Sequence, residues 1–222
     1  MDSTSRALPA AIACAVAFCL VLAFGAWLRG EGGAPLPVDL WWRGLVGLDR
    51  GSPLLPVVLV LRRAGSALGV GICVTAVATA LLAMRRWREA CSIVTAALAG
   101  VFASEAVKAW VSRPRPLEAL TVEHGFSFPS GHSMGAAMLS VSVALVIASG
   151  RGSASPIARW AWLGAGAWTL AMMWSRAALQ VHWLTDTLAG GLLGAAVAIL
   201  AAMLCRGPRP ERSGDTPRKM VE

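Results

Sequence analysis

Two histidines, one aspartate and three cations are spaced along this chain in a way that can transfer a group carrying several negative charges. His182 and Asp186 are four residues apart, so they share one face of a helix. A carboxylate there can hold one ring nitrogen, fix the tautomer and stabilise the imidazolium, which leaves the other nitrogen free to attack. Taken alone, the same pair also reads as a buried structural contact. His132 closes the run "PSGH", Pro129 to His132. Pro129 stops a loop, Ser130 is a good helix N-cap, and the amides that follow are unpaired and favour anions. Gly131 lets a ligand approach the backbone closely.

Lys108, Arg115 and Arg176 supply positive charge. Arginine forks take carboxylate or phosphate in a bidentate way, and lysine adds a point charge. Each cation alone reads as an interfacial lipid-headgroup contact. All three beside two histidines read instead as a site for a multiply charged anion, with no matching set of carboxylates. Two histidines then fit two roles. One is a nucleophile on phosphorus and the other a proton donor to the leaving oxygen. An unperturbed pKa of ~6.5 suits both tasks, and spacing favours His182 as nucleophile only through its aspartate. No metal is expected, because Asp186 is the only carboxylate read into the cluster and magnesium prefers several oxygen ligands.

These residues must be carried by a membrane protein. Of 222 residues, 56% are hydrophobic and 14% charged, against about 25% charged in soluble domains. The net charge of +8 does not indicate nucleic acid. The basic residues form short clusters between apolar segments, which is usual for membrane loops. Five cysteines with no CxxC give neither a disulfide framework nor a zinc site. Ten tryptophans and no tyrosine occur, mostly near segment ends, where aromatic belts sit.

The apolar runs predict an all-α bundle of about six transmembrane helices: Ala7 to Leu28, Ala64 to Met84, Ala90 to Val111, Ser130 to Ser149, Ile157 to Trp174 and Trp183 to Leu204. Each is close to the roughly 20 residues that a bilayer requires. "LWWRGLVGLDR", Leu40 to Arg50, reads as a segment lying on the membrane surface. Leu54 to Leu61 is apolar but too short to span, and Arg62 and Arg63 interrupt it. One domain, 1–205, precedes a charged tail, 206–222, expected to be disordered and cytoplasmic.

Alternating direction brings the ends of spans three and five, and the starts of spans four and six, to one face. The conspicuous polar residues lie at those four ends. The excess of Lys and Arg falls on the opposite face, which marks it as cytoplasmic. Both termini are therefore expected inside, and the cluster outside.

At this point three blocks of sequence stand together: "KAWVSRPRP" (Lys108 to Pro116), "PSGH" and "SRAALQVHWLTD" (Ser175 to Asp186). In order and spacing they resemble the type 2 phosphatidic acid phosphatase family, whose fold is shared with vanadium haloperoxidases. The resemblance implies His182 as the nucleophile that forms a phosphohistidine, oriented by Asp186. It implies His132 as the acid that protonates the leaving group and later activates water. It implies Lys108, Arg115, Ser130, Gly131 and Arg176 as the phosphate cradle. No cofactor and no nucleic acid partner is implied. Substrates of the family include polyprenyl pyrophosphates, phosphatidic acid, phosphatidylglycerol phosphate and phosphorylated polyprenyl sugars. Glu105, on the face of Lys108, is left open between pairing with it and packing, and His124 reads as a solvated loop residue. The rivals are an anion transporter, whose ionisable groups belong nearer the bilayer midplane, and a lipid-binding relative without activity.

Overall fold

The computed structural model describes residues 3–205, with side-chain surroundings from residue 7. The expected tail at 206–222 lies outside the described residues. The described residues form eight helices joined by loops: α1 (Ser3–Gly30), α2 (Pro37–Val46), α3 (Leu55–Ala64), α4 (Ala67–Ala83), α5 (Trp87–Val111), α6 (Gly131–Arg151), α7 (Pro156–Ala178) and α8 (Leu184–Cys205). Among the described residues, α1, α5, α6 and α8 are long and apolar enough to cross a membrane, and α3 with α4 meets the same length and hydropathy only when the two are taken together across a 53° bend. The 23 residues of α7 include four tryptophans and two arginines, which lower its mean hydropathy. It packs along α6 and makes the sixth rod. Leu68, Leu98, Phe102, Trp160 and Leu170 face outward, as lipid-facing side chains do in a bundle whose surroundings are as apolar as its core.

The bend corrects one boundary. The segment from Leu54 was expected to stop at Arg62 and Arg63, with the second span starting at Ala64. Instead α3 is helical through both arginines to Ala64, and α4 restarts at Ala67. Arginine is a good helix former, so charge alone did not end the helix. Gly65 and Ser66 did. Ser66 Oγ accepts from the Gly69 amide at 3.1 Å and caps α4. A Cβ at Gly65 would lie 2.5 Å from Met172 Cε of α7, so the chain turns where α7 packs close and a side chain would have to displace the end of Met172.

The surface segment is the short helix α2, begun by Pro37, with the Asp39 carboxylate accepting from the Leu36 amide at 3.1 Å. It rests on α7 and α8 with Trp41 exposed and Asp39 fully buried.

The pair α6 and α8 forms the centre. Gly190 and Gly194 lie one helical turn apart on α8. A Cβ on either would fall 2.3 Å from Ser130 O or 2.2 Å from Met134 O. Small residues at this spacing let two helix backbones approach closely, which substitutes for the hydrophobic drive that a membrane lacks. The approach lets the Ser130 amide donate to Asp186 O at 3.0 Å. The start of α6 is thereby fastened to the start of α8.

Candidate active site

The site is built where α5, α7 and α3 end and α6 and α8 begin. Ser130 caps α6: its Oγ accepts from the Ser133 amide at 3.4 Å and from Ser133 Oγ at 3.1 Å, and the residue is fully buried. A Cβ at Gly131 would be 3.2 Å from Lys108 Nζ, so the α5 ammonium lies directly over the first residue of α6. The expected block-to-block contact is therefore made. Glu105, left open above, pairs with Lys108 at 2.6 Å. His124 is exposed in its loop, in keeping with the solvated reading, and offers only its backbone carbonyl to Arg115.

His182 sits in the short connection between α7 and α8 and is 5% exposed. Arg115 Nη1 lies 3.1 Å from His182 Nε2. A guanidinium only donates, so Nε2 accepts, and the neutral ring carries its proton on Nδ1. Burial, and then the charges of Arg115, Arg176 and Lys108, push the His182 pKa well below its usual value. The ring is neutral, with a lone pair on the nitrogen that faces the cations. Nδ1 is 3.6 Å from Asp186 Oδ2 and has no hydrogen-bond partner among the described residues. The two side chains expected to pair are neighbours, at a separation longer than a hydrogen bond.

Arg115 is held like a bracket. It donates to the carbonyls of Gly125, Val181, His124 and Phe126 at 2.9 to 3.1 Å. Arg176 is fully buried, with Nη2 2.6 Å from Glu123 Oε1, while its Nε and Nη1 have no partner among the described residues. On the other side, His132 Nε2 is 3.2 Å from the Arg62 carbonyl. A carbonyl only accepts, so this nitrogen carries a proton and leaves Nδ1 for exchange. The bend after α3 frees that carbonyl from helical bonding.

Three things were not read from the sequence. Glu123 is inside the cluster, which corrects the expectation that Asp186 was its only carboxylate. Burial favours the neutral form of Glu123, but the Arg176 charge and hydrogen bonds from Arg62 and Arg176 outweigh it and hold the pKa at about 2. Arg62 shares that carboxylate, with Nε 2.8 Å from the same Oε1. Arg113, two residues before Arg115, is fully buried between Asp39 and Asp186, at 2.7 and 2.6 Å. No motif block contains Glu123 or Arg62, and Arg113 lies within the first block without being one of the residues given a role there. A buried arginine is visible only once α2 is seen to carry its partner Asp39 to the start of α8. A cleft of about 310 Å³ opens beside Arg115 and Glu123, lined also by Arg50, Pro116, Leu120 and Val122.

Residues 89–209, more than half of the chain, match the family model described as the PAP2 superfamily. Phosphatidylglycerophosphatase B of Bacillus subtilis (strain 168) is 36% identical over 92 residues, 41% of this chain and 45% of that protein. The chain thus spans less than half the length of that relative in the matched stretch. The crystal structure described as the first transmembrane PAP2 type phosphatidylglycerolphosphate phosphatase from Bacillus subtilis has the same fold. Its TM-score is 0.76 at 22% identity, covering 90% of this chain and 98% of that one. Aquifex aeolicus LpxE matches at a TM-score of 0.60 and 19% identity, covering 76% and 96%. The three sequence blocks lie within the matched stretch and meet at one end of the bundle, and the chain belongs to the PAP2 superfamily.

Proposed function

We propose that this protein hydrolyses lipid phosphate monoesters or pyrophosphates through a phosphohistidine on His182. The observation that carries the reading is the neutral His182 Nε2, 3.1 Å from Arg115, beside the two unpartnered, buried donors of Arg176. A nucleophile with its lone pair among cations is placed to meet a phosphoryl group whose oxygens those cations bind. The Nε2 lone pair forms a bond to the terminal phosphorus, and the bond from that phosphorus to the leaving oxygen breaks, an oxygen of the lipid alcohol in a monoester and of the remaining lipid phosphate in a pyrophosphate. His132 keeps Nε2–H on the Arg62 carbonyl and, once its Nδ1 has taken up a proton with the bound substrate, gives that proton to the leaving oxygen. The same Nδ1 then takes a proton from water as the water oxygen attacks phosphorus. The P–N bond breaks, and inorganic phosphate and neutral His182 are restored. Asp186 stabilises the imidazolium character that develops on His182.

The name of the Bacillus subtilis relative, phosphatidylglycerophosphatase B, supports a phosphorylated glycerolipid, and the family resemblance adds polyprenyl pyrophosphate and phosphatidic acid. The site lies at helix ends, where headgroups meet water, so a lipid can react with its tail still in the bilayer. The Lys and Arg bias of the loops supports an extracytoplasmic site. The chemistry needs no metal.

The test is phosphate release in detergent from phosphatidylglycerol phosphate, phosphatidic acid and a polyprenyl pyrophosphate, each with chelator present. At least one is expected to be hydrolysed, and His182→Ala is expected to abolish it. Wild-type rates from His182→Ala would sink the mechanism.

A further inference from the structure

Arg62 belongs to none of the three motif blocks, yet its guanidinium and that of Arg176 meet on one atom. Glu123 Oε1 accepts from Arg62 Nε at 2.8 Å and from Arg176 Nη2 at 2.6 Å. The point occupied by that oxygen is therefore within hydrogen-bond reach of two arginines from different helices, α3 and α7. Arg176 is fully buried and still has Nε and Nη1 unpartnered. One carboxylate does not satisfy this pair of guanidinium groups, whereas a phosphoryl group offers three oxygens to such forks.

We propose that Arg62 is a fourth cationic ligand for the substrate phosphate, and that Glu123 is a resident carboxylate occupying that ligand's place until substrate displaces it. This rests on the phosphatase reading above. Glu123 arrives on the loop between α5 and α6, and its neighbour Val122 receives Arg62 Nη2 through its carbonyl at 3.3 Å. The whole contact can therefore swing away as one loop movement. An anion that binds must expel Glu123, so the carboxylate competes with every phosphate for these donors, free inorganic phosphate, the product, included. The Arg62 side chain works separately from its carbonyl. The carbonyl holds His132 Nε2 and survives any side-chain substitution, so the side chain is expected to act on binding more than on turnover.

The experiment measures binding of inorganic phosphate to the full chain in detergent by calorimetry, for wild type, Arg62→Ala, Arg62→Lys and Glu123→Gln, beside KM and kcat on the lipid substrate. Thermal melting checks that each variant is folded. Arg62→Ala is expected to weaken phosphate binding and raise KM about 10-fold, the low end for a lost charge-assisted hydrogen bond, with a smaller change in kcat. Arg62→Lys is expected to recover part of the loss. Glu123→Gln is expected to bind phosphate several-fold more tightly, the opposite direction. If Glu123→Gln binds phosphate no better than wild type, or Arg62→Ala leaves binding and KM within about two-fold, the inference is overturned while wild-type hydrolysis stands. If wild type releases no phosphate from any lipid, it is the phosphatase reading that fails.

Discussion

Arg113 Nη1 lies 2.6 Å from Asp186 Oδ1, and neither side chain has any exposed surface. The same guanidinium reaches Asp39 Oδ2 at 2.7 Å and donates to Thr185 Oγ1 and to the carbonyls of Gly33 and Ala34. Asp39 in turn accepts from the Thr185 amide at 2.9 Å. The carboxylate beside the proposed nucleophile is thus fixed through a cation from α5's end and an anion from α2. Asp186 Oδ2 also accepts from the Trp183 amide at 2.9 Å, which caps α8. Both oxygens are committed to holding the aspartate still.

Removing Arg113 leaves two carboxylates buried without their partner. Breaking a buried ion pair costs about 3–5 kcal/mol. Arg113→Leu is therefore expected to lower the melting temperature sharply and to abolish phosphate release. Arg113→Lys keeps charge but cannot serve two carboxylates in one plane, so an intermediate loss is expected. Thermal melting in detergent separates the two. A fully stable Arg113→Leu would show that the network is not what holds α2 to the site.

Asp186→Asn keeps the shape of the side chain and removes its charge. The analogous change in a serine protease triad costs about 10⁴ in kcat. The Nδ1 to Oδ2 separation here is 3.6 Å, longer than a hydrogen bond, so a smaller kcat loss of roughly 10²–10³ is expected, with KM little altered. Steady-state kinetics on one lipid substrate checks it. An unchanged kcat would mean that Asp186 serves only to cap α8 and anchor Arg113.

The bundle and the motif blocks were legible because each rests on a local signal. Apolar runs of span length gave α1, α5, α6 and α8 nearly in place, and antiparallel alternation brought Lys108, Ser130, Arg176 and His182 together. What was not legible depends on side chains from distant segments. Glu123 and Arg62 are 61 residues apart, and Asp39 and Arg113 are 74 apart. No periodicity connects such residues. The bend after α3 was missed for a related reason. A hydropathy reading treats Arg62 and Arg63 as a stop, whereas the helix continues through them and yields only at Gly65, whose lack of a side chain matters because of Met172 on α7.

The pH profile should carry the imprint of His182. Its pKa is pushed well below 6.5 by burial and by Arg115, Arg176 and Lys108. Protonation of Nε2 removes the lone pair, so activity falls only as pH drops through this depressed value. The acid limb of kcat/KM attributable to the nucleophile is expected well below pH 6.5. Arg115→Gln removes a neighbouring charge, and its acid limb is expected at higher pH than in wild type, whatever the loss in rate. The sign for stability agrees. A histidine that resists protonation in the fold lets the unfolded chain bind more protons below about 6.5, so its contribution is complete above that pH and is lost on acidification. A limb that stays in place in Arg115→Gln would mean that Arg115 does not tune this ring.

Gly190 offers the sharpest test of how the helices place the chemistry. A Cβ there would lie 2.3 Å from Ser130 O and 3.2 Å from Ser133 Cβ, so even alanine must push α8 away from the start of α6. Neither neighbour can yield cheaply, since one is backbone and the other belongs to the capped first turn. The Ser130 amide to Asp186 O bond at 3.0 Å would lengthen, carrying His132 and the first amides of α6 away from His182. Overpacking of this kind costs about 1–3 kcal/mol, and a displacement of about 1 Å in a reacting site costs on the order of 10²-fold in rate. Gly190→Ala is therefore expected to lower phosphate release by about that factor with only a moderate fall in melting temperature. Gly166→Ala on α7 meets nothing within 4 Å and is expected to leave both unchanged. If the two variants behaved alike, the close approach of α6 and α8 would not be what aligns the two histidines.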